Sequence, residues 1–317
     1  MLYKKLGDTD VELSIIGLGG HEYLTNGKSR GFNEDSRRAV TPGEIFDGFG
    51  GPGRQAVVAT ALENGINFFD ATIDSEKEAL GRNLQELDLP YEVYIQTRPE
   101  GMVYSYDPYN QRMAKYDLLK AEVQRGLKLL KRDRLDFLNL GFLRSALEHD
   151  PEYLQKIADN VQSLKQEGLI RFASADTFSG EATYLKQMET GCFDSIFINF
   201  NAVDCKAEDR VLPTANVGGL GVFAREAFVK GRWFEIGQQA GITDRSRLAQ
   251  VAIKWVLSHQ EVTTVVVGMD NLEQMESNLE VLIDIALNGE DQAILRQMQT
   301  TPLYQEVQNQ KASSFIQ

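Results

Sequence analysis

Cysteine is nearly absent: the 317 residues hold only Cys192 and Cys205. The two do not form a CxxC pair, and each lies in or beside an apolar stretch. That excludes a disulfide framework, gives no expectation of a structural zinc site, and fits a reducing compartment. Long hydrophobic runs are missing as well. The opening Met1-Leu2-Tyr3-Lys4-Lys5-Leu6-Gly7 has no apolar h-region, and no later segment approaches the roughly 18 to 20 apolar residues that cross a bilayer. A soluble, cytoplasmic protein without a membrane partner is expected. Basic charge is in short supply: 33 Lys and Arg stand against 46 Asp and Glu, a net charge of −13. Such a field repels phosphate backbones and anionic lipid, so nucleic acid is not an expected partner. The glycine run Gly50-Gly51-Pro52-Gly53 lacks the GxxxxGK[ST] pattern of a phosphate cradle and reads as a flexible turn.

What is present is a core and a rhythm. A hydrophobic content of 42% suffices to bury a full interior. After a stretch over 1–13 that suits a hairpin, short apolar runs alternate with amphipathic helical patterns. Eight runs read as strands: 14–18, 67–69, 92–97, 135–140, 170–174, 195–200, 221–224 and 264–267. Helical patterns follow at 54–64, 75–86, 115–130, 151–166, 179–190, 204–212, 246–258 and 271–282. This alternation predicts parallel βα units closed into a single (β/α)8 barrel over 1–317, with no internal repeat or linker dividing it. The irregular stretch 21–55, which includes Asn26-Gly27, is expected to be one long βα loop, serving as a lid or binding segment or simply disordered. A last helix near 290–299 and a polar tail complete the segment 289–317, the tail being a lid, an oligomer contact or mobile chain.

The segment from Glu63 to Arg82 is the most informative. An apolar strand delivers Asp70 to its C-terminal tip and a helix follows, which is how an α/β barrel places an active-site acid. Several motifs stand in a telling order. They are Tyr3-Lys4-Lys5-Leu6-Gly7, Ile16-Gly17-Leu18-Gly19-Gly20, Asn67-Phe68-Phe69-Asp70, Arg134-Leu135-Asp136-Phe137, Ile198-Asn199-Phe200-Asn201, and Ile253-Lys254-Trp255 running into Val265-Val266-Val267-Gly268. In this order and spacing, from Tyr3 to about Leu282, the chain resembles the aldo/keto reductase superfamily, (β/α)8 barrels that use a nicotinamide cofactor.

The resemblance implies a catalytic aspartate, tyrosine, lysine and histidine, the tyrosine protonating the carbonyl oxygen as hydride arrives. Asp70 matches the aspartate. Counting from Asp70 the tyrosine position falls on Ser75, and counting back from Leu80-Gly81 it falls on Asp74; neither is a phenol. The lysine aligns with Arg98 in Ile95-Gln96-Thr97-Arg98 and the histidine with Arg144 in Gly141-Phe142-Leu143-Arg144. Arginine stays protonated and cannot shuttle a proton. His21 and Tyr23, beyond the first barrel strand, are candidate substitute donors. Their ordinary readings are a loop residue bonded to backbone and a half-buried ring. Asp70, Arg98 and Arg144 together suit either capture of an anion or simple pairing of Arg98 with Asp70.

The same resemblance places the nicotinamide amide against Asp176 and Thr177, puts Phe197 where a glutamine is usual, and sets Arg225 where an aromatic ring stacks. Asn199 of the sixth-strand motif is counted with these cofactor residues. The turn Gly268-Met269-Asp270-Asn271 leads into a helix with Asn271 as N-cap and Gln274 as its capping partner, a phosphate-binding position in barrels. Asp270 repels a 2′-phosphate and accepts from a ribose hydroxyl, so NAD is favoured slightly over NADP. Gln274 and Asn278 match adenine-contacting positions or form a plain solvated face. Two functions follow: a divergent NAD(P)-dependent oxidoreductase acting on a small carbonyl or alcohol, anionic on the strength of the two arginines, or a catalytically silent barrel that senses a ligand or protein. No metal is implied, and nothing in the sequence fixes the oligomeric state.

Overall fold

The computed structural model describes residues 1–24, 27–102 and 106–316, so Asn26 of the loop motif and Gln317 of the tail lie outside the described residues. Strands β1 (Tyr3–Lys5) and β2 (Glu12–Ser14) form an antiparallel hairpin. The barrel strands are β3 (Ile16–Gly19), β4 (Phe68–Ala71), β5 (Tyr94–Thr97), β6 (Leu135–Gly141), β7 (Ile170–Asp176), β8 (Ser195–Asn199), β9 (Gly221–Arg225) and β10 (Thr264–Val267). They pair in parallel in chain order, and β10 closes against both β3 and β9. The expected strand over 14–18 divides at Ile15 between the hairpin and the first barrel strand.

Alternation along the strands sorts the side chains. One parity, Phe68, Phe137, Phe172, Phe197 and Phe223, fills the barrel interior, where Leu6, Val11 and Leu13 of the hairpin join the same cluster. The other parity, including Phe69, Ile95, Leu138, Ala173, Ile196, Val222 and Val265, packs outward under the helices. Continuing the inward parity to the strand ends brings Asp70, Gly141, Asp176, Asn199 and Arg225 to the C-terminal mouth.

Each helix ends where local chemistry dictates. Pro52–Glu63 starts with proline in its first turn and stops at Asn64 and Gly65. Gly65 has φ +85, with its N–H on the Leu62 carbonyl, the left-handed C-terminal stop that glycine allows. Asp74–Gln85 packs so closely on Tyr116–Leu130 that a Cβ at Gly81 would lie 2.4 Å from the Leu129 carbonyl oxygen. The helix expected over 204–212 is instead a 3-10 turn, Lys206–Asp209, followed by Val211–Val217, whose third residue, Pro213, is tolerated in a first turn. Four helices were not legible as such: Ser36–Ala39, Arg144–His149, Arg232–Gln239 and Pro302–Ile316.

The tail is thus a docked helix. Tyr304 donates to the Ala202 carbonyl at 2.5 Å, and Lys311 pairs with Asp204 at 3.3 Å and Glu226 at 3.7 Å. Among the described residues, 21–51 form a long βα connection with one short helix, Ser36–Ala39, and the helix Pro52–Glu63 begins inside the expected 21–55 bounds. The connection is tied down at several points. Gly43 and Phe46 donate their N–H groups to Asp74 and Ser75, and Gly50 donates to Glu22. Arg54 bridges the Gly19 and Met269 carbonyls. Among the described residues no helix is long and apolar enough to cross a membrane.

Candidate active site at the barrel mouth

Asp70 sits near the end of β4, in register with Gly19 on one side and Gln96 on the other. Gln96 Nε2 donates to Asp70 Oδ1 at 3.0 Å, and the Thr72 hydroxyl donates to Oδ2 at 3.4 Å. Burial pushes the Asp70 carboxyl pKa up, helped by the nearby Glu76 charge; the Gln96 hydrogen bond, His21 and Arg225 only partly offset this.

His21 follows β3 directly, and its Nδ1 lies 2.6 Å from Glu76 Oε1. Glu76, almost fully buried, also accepts the Thr72 N–H at 2.7 Å. Gly20 makes the approach possible, since a Cβ there would fall 2.4 Å from the Asp70 carbonyl oxygen. Burial disfavours charge on both partners. Their mutual attraction prevails, so the His21 pKa is raised, with Asp70 adding to the rise and Arg98 opposing it, and the Glu76 pKa is lowered. The contact therefore favours the imidazolium form of His21 and the carboxylate form of Glu76. Tyr23, 44% exposed, contributes its backbone N–H to Asp270 Oδ1 rather than a phenol to the Asp70 cluster.

The two positions counted for a tyrosine face away from Asp70. The loop after β4 is so short that Asp74 and Ser75 already lie in the first helical turn and are buried. Asp74 pairs with the buried Lys77 at 2.8 Å and with Arg125 at 2.8 Å. Arg98 stays at the mouth, but its Nε lies 3.5 Å from Glu100, a fully buried carboxylate, rather than on Asp70. Arg144 departs from expectation. Strand β6 ends at Gly141, so by residue 144 the chain has turned into Arg144–His149. There Arg144 is half-exposed and pairs with Glu148 at 3.3 Å. The residue that β6 presents at its tip is Gly141.

The cofactor candidates form two groups. Arg225 grips Asp176 through two bonds of 2.8 and 2.7 Å and donates Nε–H to Asn199 at 2.6 Å. The guanidinium lies over the rings of Phe197 and Phe178, 4.4 and 4.9 Å from their centroids. Across the mouth, Asn271 caps Leu272–Leu279 through the Gln274 N–H, while Gln274 Oε1 accepts the Asp270 N–H. Gly268 leaves open space where a Cβ would stand, Met269 is buried, and Asn278 is buried on the following helix. Asp270 holds the 21–55 loop through Tyr23, and burial raises its pKa despite that bond. These residues fit a nicotinamide dinucleotide in chemistry through a planar cation among aromatic rings and a capped helix N-terminus, while the Asp176 oxygens already accept from Arg225, Tyr184 and Asn139. Among the described residues no group of three or more His, Cys, Asp or Glu is placed to hold a metal.

Glu76, Gln96, Glu100, Asn139 and Gly141 escaped the sequence reading. A polar residue interrupting an apolar strand, such as Asn139 within Leu135–Gly141, was the available signal. Nothing in the sequence signalled the pairing of Glu76 with His21, which are 55 residues apart.

A closed parallel barrel with polar residues gathered at the C-terminal ends of its strands defines a (β/α)8 enzyme-type scaffold. Residues 52–243 and 232–299 match the Aldo/keto reductase family, and the chain belongs to that family. It is 24% identical over 330 residues to L-galactose dehydrogenase of Arabidopsis thaliana, covering 93% of this chain and 92% of that protein. Among solved structures it resembles the aldo-keto reductase AKR11C1 from Bacillus halodurans at 18% identity. The TM-score is 0.69 for the holo form and 0.66 for the apo form, and each comparison covers 94% of this chain and 96% of the other.

Proposed function

We propose that the chain is a nicotinamide-dependent oxidoreductase that interconverts a small carbonyl compound and its alcohol, with the His21–Glu76 pair in the place of the missing tyrosine. The observation that carries this reading is the 2.6 Å contact between His21 and buried Glu76 beside Asp70. Family membership supports the redox class. So do the names of the relatives, one a dehydrogenase of a sugar and the other a reductase.

When bound, the nicotinamide supplies or takes up the hydride. The chain's own residues then handle the proton. Nδ1 of His21 is committed to Glu76, so the transferable proton is the one on Nε2. In reduction it passes to the carbonyl oxygen as the π bond opens; in oxidation it returns from the hydroxyl. Glu76 fixes the ring and stabilises its charge, and the Asp70 field adds to that. Asp176, Arg225 and Asn199 form the wall against which a carboxamide and ring are held, and the 268–278 turn and helix receive the rest of the dinucleotide. Asp270 disfavours a 2′-phosphate there, which supports NAD over NADP.

Calorimetric titration with NADH, NADPH and the oxidised forms comes first, followed by turnover of wild type and His21→Gln. We expect binding, and a loss of about 10²- to 10⁴-fold in kcat for His21→Gln at unchanged cofactor affinity. Absence of binding at millimolar cofactor defeats the proposal.

A further inference from the structure

Glu100 is fully buried, and neither of its carboxylate oxygens has a hydrogen-bond partner among the described residues. A buried carboxylate without hydrogen bonds is costly, so its presence calls for a reason. The chain after β5 puts it there. Arg98, Pro99 and Glu100 follow the strand, and the proline favours extended backbone at Arg98. Gly101 then takes φ +64, where a Cβ would lie 2.5 Å from Pro42, so the turn that carries Glu100 is packed against the 21–55 loop. Two cations flank the carboxylate: Arg98 Nε lies 3.5 Å from Oε1 and Lys77 Nζ 3.9 Å. Lys77 is already committed to Asp74 at 2.8 Å, whereas Arg98 Nε donates no hydrogen bond among the described residues. Burial pushes the Glu100 pKa up; Lys77 and Arg98 oppose that rise, while Asp74 and Glu76 add to it.

The other carboxylate open to Arg98 is Asp70, which stands on the neighbouring strand in register with Gln96. Asp70 is instead hydrogen-bonded by neutral donors, Gln96 and the Thr72 hydroxyl. Its charge matters to His21. The charged groups facing that ring are Glu76 from the helix Asp74–Gln85, Asp70 from β4, Asp270 from the turn after β10, and Arg98 from the end of β5. The three carboxylates favour the imidazolium and the guanidinium opposes it. A guanidinium drawn onto Asp70 would cancel one of the three, whereas one drawn toward Glu100 meets a carboxylate of its own.

We propose, resting on the oxidoreductase reading above, that Glu100 is a positioning residue for the proton transfer: it holds the Arg98 guanidinium away from Asp70 and offsets its charge, leaving Asp70 free to face the protonated His21.

The chain holds three histidines, so the imidazole NMR titrations of the cofactor-free protein are separable, and the signal that His21→Gln removes is that of His21. We expect Glu100→Gln to lower the His21 midpoint by about 0.5 pH unit or more, as Arg98 turns to Asp70. The pH limb of carbonyl reduction in kcat/KM should move the same way. With Arg98→Met in place, adding Glu100→Gln should do much less, because its action runs through the arginine. Glu100→Asp keeps the charge but draws the carboxylate back by one methylene, and should lower the midpoint by a smaller step; it decides the matter should Glu100→Gln fail to fold. A midpoint that neither Glu100 variant moves, whatever happens to the melting temperature, makes Glu100 a structural ion and overturns the proposal with the redox reading intact. So does a midpoint that Glu100→Gln lowers equally with and without Arg98→Met. A midpoint that moves as expected while the limb of kcat/KM stays fixed keeps Glu100 as the residue that positions Arg98 and defeats His21 as the proton donor.

Discussion

At the scale of single residues, the His21–Glu76 pair makes the protein's pH response specific. The His21 pKa stands above its ordinary 6.5, so the protonated donor persists past that pH. Carbonyl reduction should hold steady through pH 6.5 and fall as pH rises through the raised value. In Glu76→Gln that limb should move to lower pH, because the attraction that raises the pKa is gone; a pH profile of kcat/KM that does not move would separate His21 from the proton transfer. The same shifts carry a stability signature. The histidine's contribution is fully present below 6.5 and lost as pH rises through its folded value. The glutamate's is present above its ordinary 4.5 and lost as pH falls through its lowered folded value. The pair therefore supports the fold most between those two ordinary values.

At the scale of elements, the 21–55 loop behaves as part of the barrel rather than as a free lid. The guanidinium of Arg54, in the first turn of the helix Pro52–Glu63 that ends the loop, spans from Gly19 at the tip of β3 to Met269 just beyond β10, tying that junction to two neighbouring strands of the barrel. Replacing Arg54 with alanine strands two carbonyls in a partly buried place. We expect a loss of about 1 to 3 kcal/mol in unfolding free energy. Amide exchange should quicken across 21–55 and leave β6 and β7 unchanged. Uniform quickening would mean that the loop is not a separable unit. The helix Asp74–Gln85 shows the same economy, since one buried aspartate meets Lys77, Arg125 and the loop's Gly43 at once. That use of Asp74 explains why the position cannot also serve the mouth.

At the scale of the whole molecule, the tail helix Pro302–Ile316 braces the loops after β8 and β9, where Lys311 sits between Asp204 and Glu226. Glu226 and Val229 in the loop after β9 adopt φ +59 and +52, conformations that a β-branched or acidic side chain rarely holds without support. A chain ending at Thr301 should therefore melt at a lower temperature in calorimetry. It should also lose cofactor affinity, because Arg225 immediately precedes that loop. A drop in melting temperature with cofactor affinity intact would restrict the tail to a structural brace.

The sequence by itself determined the barrel. Eight apolar runs alternating with amphipathic helices admit few other arrangements, and the parity of Phe68, Phe137 and Phe172 against their neighbours already sorts inside from outside. It also determined that Asp70 stands at a strand tip, while Asp176 and Arg225 were placed at the mouth by the resemblance to the aldo/keto reductases. Only the tertiary structure decided which charges meet. Arg98 turned out to face Glu100 and Arg144 to face Glu148, while His21 found Glu76 and Asp176 found Arg225. The reason is physical. Strand position fixes where a side chain begins, but the partner of a long charged side chain depends on loop length, burial and the competing charges within reach, and those are settled only when distant segments pack together.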